Sequence, residues 1–135
     1  MKIQQQAVTA QGPGNGQLKP DDGVIDIRAV EERLGGDRDL LREVLQLFPA
    51  VSEDAAEALK QAIAADDMEE VEHHAHNLKG MFSLLEASTA REIAAQIEAS
   101  ARFQGLSKRE DFERLSVELV RVNSAIVEFD RVLSQ

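Results

Sequence analysis

A narrow stripe of apolar residues runs through the middle of the chain at helical spacing. Its members recur at alternating intervals of four and three residues, and they are Val71, Ala75, Leu78, Phe82 and Leu85. On a helix that turns about 100° per residue these positions share one face, as in the seam of a helix bundle. The pattern predicts an amphipathic helix over about 68–86 that buries this face in a core.

Other segments carry the same periodicity, and most of them follow a residue that can cap a helix, as Asp66-Asp67 do before the 68–86 helix. They lie at about 26–34, 38–65, 88–104 and 108–133. Asp26, Asp37 and Ser107 are the expected N-caps, and Gly35-Gly36 are expected to stop the first helix. Long helices joined by short turns predict an all-α fold, an antiparallel four-helix bundle with a short extra N-terminal helix.

The long second helix has its own apolar face and contains a proline. The predicted core face is Leu40, Val44, Leu47 or Phe48, Val51, Ala55, Ala58 or Leu59, and Ala62. Pro49 removes one backbone hydrogen bond, so we expect it to kink or locally break the helix.

The first 22 residues differ from the rest of the chain. They are rich in Gln, Gly and Pro, and no helical or strand period runs through them. We interpret 1–22 as a flexible tail or linker and 23–135 as the helical bundle. The glycines of 12–16 lack the Gly-Lys-Ser/Thr ending of a phosphate-binding loop.

Composition narrows the classes of partner. The 135 residues include 25 acidic and 15 basic side chains, a formal charge of −10. Such acidity repels nucleic acid and anionic lipid, so neither is expected as a partner. The chain has no cysteine, no apolar run long enough to span a membrane, and no apolar stretch at its N-terminus typical of a secretion signal. We expect a cytoplasmic monomer.

His76 projects away from the apolar stripe of its helix, by about 140° on helical geometry. Gly80 follows one turn later, where a glycine costs about 1 kcal/mol of helix stability. A missing side chain at this position lets another protein approach the imidazole. Lys79 lies within reach of an anion carried by His76.

The pentapeptide His76-Asn77-Leu78-Lys79-Gly80 resembles the phosphorylation motif of histidine-containing phosphotransfer (HPt) domains. The likeness extends from about Ile25 to the C-terminus and includes the Gly35-Gly36 turn. It implies that His76 accepts a phosphoryl group from a receiver-domain aspartate and passes it to another receiver in a multistep two-component relay. The expected partners are receiver domains of response regulators or hybrid sensor kinases.

The resemblance also implies roles for other side chains. Glu98 would accept a hydrogen bond from one ring nitrogen of His76, and Lys79 would offset the charge of the phosphorylated ring. The expected docking face is Glu72, His73, Gly80, Ser83 and Leu84. No cofactor is expected on this chain, because the receiver supplies Mg²⁺, and no ATP site is visible. The resemblance therefore implies a phosphocarrier rather than an enzyme. One departure is Glu86, which stands where the family usually has glycine.

Two other functions remain open. An HPt-like bundle can act as a scaffold that docks receiver or kinase domains without carrying phosphate. Alternatively, Glu70-x-x-His73 has the spacing of metal ligands in helical bundles, and His73 and His76 form an i, i+3 pair. The metal site would need further ligands that face inward.

Overall fold

Helices make up nearly all of the described part of the chain. The computed structural model describes residues 24–103 and 108–135, and no strand occurs among them. The helices are α1 (Ile27–Arg33), α2 (Arg38–Ala64), α3 (Met68–Leu84), α4 (Ser88–Arg102) and α5 (Lys108–Leu133). The expected all-α fold is confirmed. The expected tail over 1–22 and the expected cap at Ser107 lie outside the described residues.

Aspartate side chains begin the first three helices. Asp26 accepts a hydrogen bond from the Ala29 N–H at 3.1 Å, and Asp37 accepts one from the Leu40 N–H at 3.0 Å. Asp67 accepts one from the Glu70 N–H at 3.2 Å. Caps of this kind stabilise a helix by about 0.5–2 kcal/mol each because they satisfy amides that have no partner within the helix.

The four long helices pack as a ring in which α2 contacts α3 and α5, and α4 contacts the same two helices. Arg42, near the start of α2, pairs with Asp130, near the end of α5, so these helices run antiparallel. The stripe that predicted α3 is fully buried at all five positions. Its burial fixes α3 in the core and directs the opposite face of that helix to the surface.

The predicted core face of α2 is wrong at three positions in the first half of the helix, although Phe48 is buried and Val44 packs against the core as predicted. Leu40, Leu47 and Val51 are 39%, 66% and 49% exposed. The buried positions there are Leu41, Leu45, Phe48 and Ser52. The sequence offers two apolar stripes one residue apart, and the ring contact between Phe48 and Phe82, with centroids 6.0 Å apart, belongs to the buried one. Helix α2 also continues through Pro49 without a break.

The turn between α3 and α4 places Glu86 in the left-handed region, with φ of 53°. Glycine adopts this conformation without a steric penalty, which explains why a glycine is usual there. Arg33 of α1 holds the turn, since its guanidinium donates to the Ser83 carbonyl at 2.9 Å and pairs with the Glu86 carboxylate. The sequence alone identified Glu86 as unusual at this position, but it did not indicate the contacts with Arg33 that hold the turn.

Within residues 24–103 and 108–135, no helix combines the length and apolarity needed to cross a bilayer.

Candidate functional site

His76 lies at the centre of α3 and presents its ring to solvent. Its side chain is 64% exposed, although the neighbouring Ala75 and Leu78 are fully buried. The buried neighbours hold the helix backbone in place while the imidazole stays accessible. The position therefore combines a fixed Cα with an open approach to the ring.

A buried carboxylate on α4 holds the ring of His76. Glu98 Oε2 lies 2.8 Å from His76 Nδ1, and Glu98 Oε1 lies 2.7 Å from Lys79 Nζ. The Glu98 side chain is only 7% exposed, and Ile97 beside it is fully buried. Glu98 thus fixes the imidazole and the ammonium group of α3 from the neighbouring helix.

The charge state of Glu98 determines which ring nitrogen carries the proton. Burial alone would raise the pKa of Glu98, but hydrogen bonds with Lys79 and His76 and the charges of these two residues together outweigh burial and lower the pKa below the ordinary value of 4.5. An ionised carboxylate only accepts hydrogen bonds, so His76 Nδ1 is the donor. In the neutral ring this leaves the lone pair on Nε2 free for another atom.

Sequence reasoning missed Arg102, which joins the same cluster. Its guanidinium donates to Glu98 Oε2 at 3.2 Å through Nη2 and to Glu72 Oε2 at 2.7 Å through Nε. Hydrogen bonding and charge from Glu72 raise the pKa of Arg102. The spacing of four residues between Glu98 and Arg102 on one helix was the signal that could have identified it.

The residues expected at a docking face lie along the exposed side of α3. A Cβ atom built on Gly80 would meet no heavy atom within 4 Å outside its own helix backbone, so the space above this residue is open. Ser83 donates its hydroxyl to the Lys79 carbonyl at 2.9 Å, and Leu84 is 39% exposed. His73 is exposed one turn before His76, and its ring contacts that of His74 rather than the cluster around Glu98. The docking roles of these residues stay predictions.

The metal hypothesis gains no support from the part of the chain that the structure describes. No group of three or more potential His, Cys, Asp or Glu ligands comes together there. His76 is instead engaged with Glu98, and Glu70 pairs with His74 rather than with His73.

Comparisons with known proteins agree on one family. The model of the Hpt domain matches residues 43–129. The fold is similar to that of histidine-containing phosphotransfer protein B from Pseudomonas aeruginosa PAO1, with a TM-score of 0.77 and 23% identity over 82% of this chain and 97% of that one. It is also similar to the HPT domain of a sensor hybrid histidine kinase from Shewanella, with a TM-score of 0.68 and 18% identity over 80% of this chain and 94% of that one. Comparison with curated proteins gave no match. Because the family model spans more than half of the sequence, the chain belongs to the Hpt domain family, the histidine phosphotransfer modules of two-component systems.

Proposed function

We propose that His76 carries a phosphoryl group between receiver domains of response regulators or hybrid sensor kinases. The observation that supports this function best is the exposed imidazole whose Nδ1 is held by the buried carboxylate of Glu98 at 2.8 Å. This contact directs the Nε2 lone pair outward from α3, next to the open space above Gly80 one turn further along the helix.

The transfer makes one bond and breaks one. Nε2 of the neutral ring attacks the phosphorus of an aspartyl phosphate on the receiver, a P–N bond forms, and the P–O bond to the aspartate breaks in line with it. The aspartate leaves as a free carboxylate with the electron pair of that bond. Nε2 carries no proton before the attack, so no base has to remove one. Transfer to a second receiver reverses these steps.

Glu98 stabilises the charge that develops on the ring during the attack. The ring becomes more positive as Nε2 bonds to phosphorus, and the Nδ1–H then donates to the carboxylate more strongly. Lys79 has a 34% exposed side chain beside the ring, where it would offset the negative charge of the phosphoryl group. The receiver, with its own Mg²⁺, would supply the rest of the charge neutralisation.

Gly80 and Ser83 leave room for a receiver above the ring. Gly80 contributes no side chain to the surface, and the hydroxyl of Ser83 is directed to a carbonyl of its own helix. Glu72, His73 and Leu84 would complete the contact face around His76. Among them Leu84 offers the apolar surface that an interface core requires.

Transfer of radiolabelled phosphate from a phosphorylated receiver domain tests the proposal. We expect label on the wild-type chain and on His73→Gln, and none on His76→Gln. The bound label should be lost in acid and retained in base, which distinguishes phosphohistidine from phosphoserine. Receiver binding without label on any variant would instead favour the docking scaffold.

A further inference from the structure

Helix α5 has a second apolar stripe on the side that faces away from the core. Val117, Val120 and Val127 are 63%, 66% and 65% exposed, whereas Leu115 and Val122 of the same helix are buried. Valine is a poorer helix former than most residues found at helix surfaces, because its χ1 freedom is restricted there. Three valines in one row therefore lower helix stability while most of their surface stays uncovered by the residues that the structure describes.

The stripe has charged residues of opposite sign at its two ends. In order it contains Glu113, Val117, Val120, Ser124, Val127 and Arg131, all exposed. The intervals are four, three, four, three and four residues, so the row lies on one face of the helix and is symmetric about its midpoint. Its length is about 27 Å on helical geometry.

In place of the monomer expected from the sequence, we infer that this face of α5 binds a second copy of the chain in an antiparallel two-fold pair. A two-fold axis at the midpoint places Val117 against Val127 of the second copy and Val120 against its Ser124. The same symmetry places Glu113 against Arg131 of the other chain, twice per dimer. A parallel pair would instead bring Glu113 against Glu113 and Arg131 against Arg131, so charge selects the antiparallel arrangement.

The charges at the ends of the stripe are available for this pairing. Arg131 pairs with Glu128 on its own helix, but both side chains remain about 60% exposed. An exposed guanidinium can donate to a second carboxylate with little further desolvation, since it carries five N–H donors. A single-helix seam is narrower than the interfaces of permanent dimers, so we expect a reversible dimer with a dissociation constant of roughly 10⁻⁵ to 10⁻⁴ M.

The dimer would leave both phosphotransfer sites free. α5 lies diagonally across the bundle from α3, with α2 and α4 between them. The stripe faces outward from α5, so the two His76 rings would point away from the interface. Self-association would thus produce a carrier with two sites that receivers can reach at the same time.

Sedimentation equilibrium of the full chain over a range of concentrations tests the apolar part of the stripe. We expect Val120→Glu to raise the dissociation constant by more than about tenfold, because it places a carboxylate in the seam. Leu47→Glu is the matched control, since Leu47 is equally exposed at 66% and the substitution adds the same charge. A wild-type chain that stays monomeric to roughly 1 mM would overturn the inference, and so would association that Leu47→Glu abolishes and Val120→Glu preserves.

A charge exchange tests the antiparallel register. Glu113→Arg and Arg131→Glu should each weaken association by about two- to thirtyfold, because each loses two exposed ion pairs and gains like-charge contacts. The double variant should restore most of the wild-type affinity. If only total charge mattered in this acidic chain, Glu113→Arg would strengthen association and Arg131→Glu would weaken it. That result, or a double variant no better than the single ones, would contradict the proposed pairing.

Discussion

Replacing Glu98 by glutamine removes the charge that organises the site while keeping its shape. The carboxylate has hydrogen bonds with His76, Lys79 and Arg102. An amide cannot accept from all three, and its NH₂ group would face one of the two cations. We expect Glu98→Gln to fold, to be less stable than the wild type and to transfer phosphate more slowly.

The loss of stability follows from the burial of Glu98 and the exposure of its partners. Hydrogen bonds to charged groups typically contribute about 1.5–3 kcal/mol each to stability. Here the partners are 64%, 34% and 51% exposed and regain water once released. The loss should therefore be much smaller than three times that figure, about 1–3 kcal/mol in the free energy of unfolding.

The rate of phosphotransfer should fall by about 10- to 100-fold, by analogy with the loss of a carboxylate that orients a metal-bound histidine. Rapid-quench measurement of label transfer from a receiver gives this rate, and titration calorimetry gives receiver affinity. Glu118→Gln is the matched control, because Glu118 is an equally buried carboxylate that contacts Arg121 on α5. A Glu98→Gln rate within twofold of the wild type at unchanged receiver affinity would refute the role assigned to Glu98.

Glu98→Gln should also change how the free energy of unfolding falls at acid pH. Because folding lowers the pKa of Glu98, its contribution is present above about pH 4.5 and is lost as the pH falls further through the folded-state pKa. Urea unfolding at a series of pH values should show a shallower loss of stability below pH 4.5 in Glu98→Gln than in the wild type. Equal slopes would mean that Glu98 titrates alike in both states.

Three further substitutions separate packing from function. In Gly80→Gln the new side chain enters open space and replaces a helix glycine, so thermal unfolding should show unchanged stability or a gain of up to about 1 kcal/mol. Phosphate transfer to this variant should fall, because the new side chain blocks the receiver. Glu86→Gly relieves the backbone strain of the left-handed conformation but loses the exposed ion pair with Arg33, so the free energy of unfolding measured in urea should change by less than about 1 kcal/mol. In an Arg33→Ala background, where the ion pair is already lost, the same substitution should stabilise the chain. Arg102→Ala frees Glu72 but leaves Glu98 with two partners, so quench-flow should show a smaller loss of rate than Glu98→Gln gives.

Local signals in the sequence were sufficient for the starts of α1, α2 and α3 and for the buried face of α3, whereas α4 begins after Ala87 without a side-chain cap. Asp26, Asp37 and Asp67 cap helices through contacts within three residues, which sequence spacing reports directly. The stripe that includes Leu78 and Phe82 had no competing apolar row beside it. Both features depend on short-range geometry that is independent of the rest of the fold.

The face of α2 and the support of the site depended on tertiary contacts. Leu40 and Leu41 begin two rows of similar hydrophobicity, and only packing against the other helices, such as the contact of Phe48 with Phe82, decides between them. Arg102 and Arg33 reach residues 30 and 53 positions away in the sequence, so no local pattern reports these contacts. The proximity of Glu98 to His76 was anticipated from the family resemblance, whereas its burial and its contact with Lys79 required the structure.

The measurement that tests the central claim most directly is nitrogen–phosphorus coupling in the ¹⁵N-labelled chain after phosphorylation by a receiver. The account predicts a single P–N bond at Nε2 of His76, with Nδ1 still protonated against Glu98. A phosphoryl group on Nδ1, on another histidine, or on none of them would contradict it.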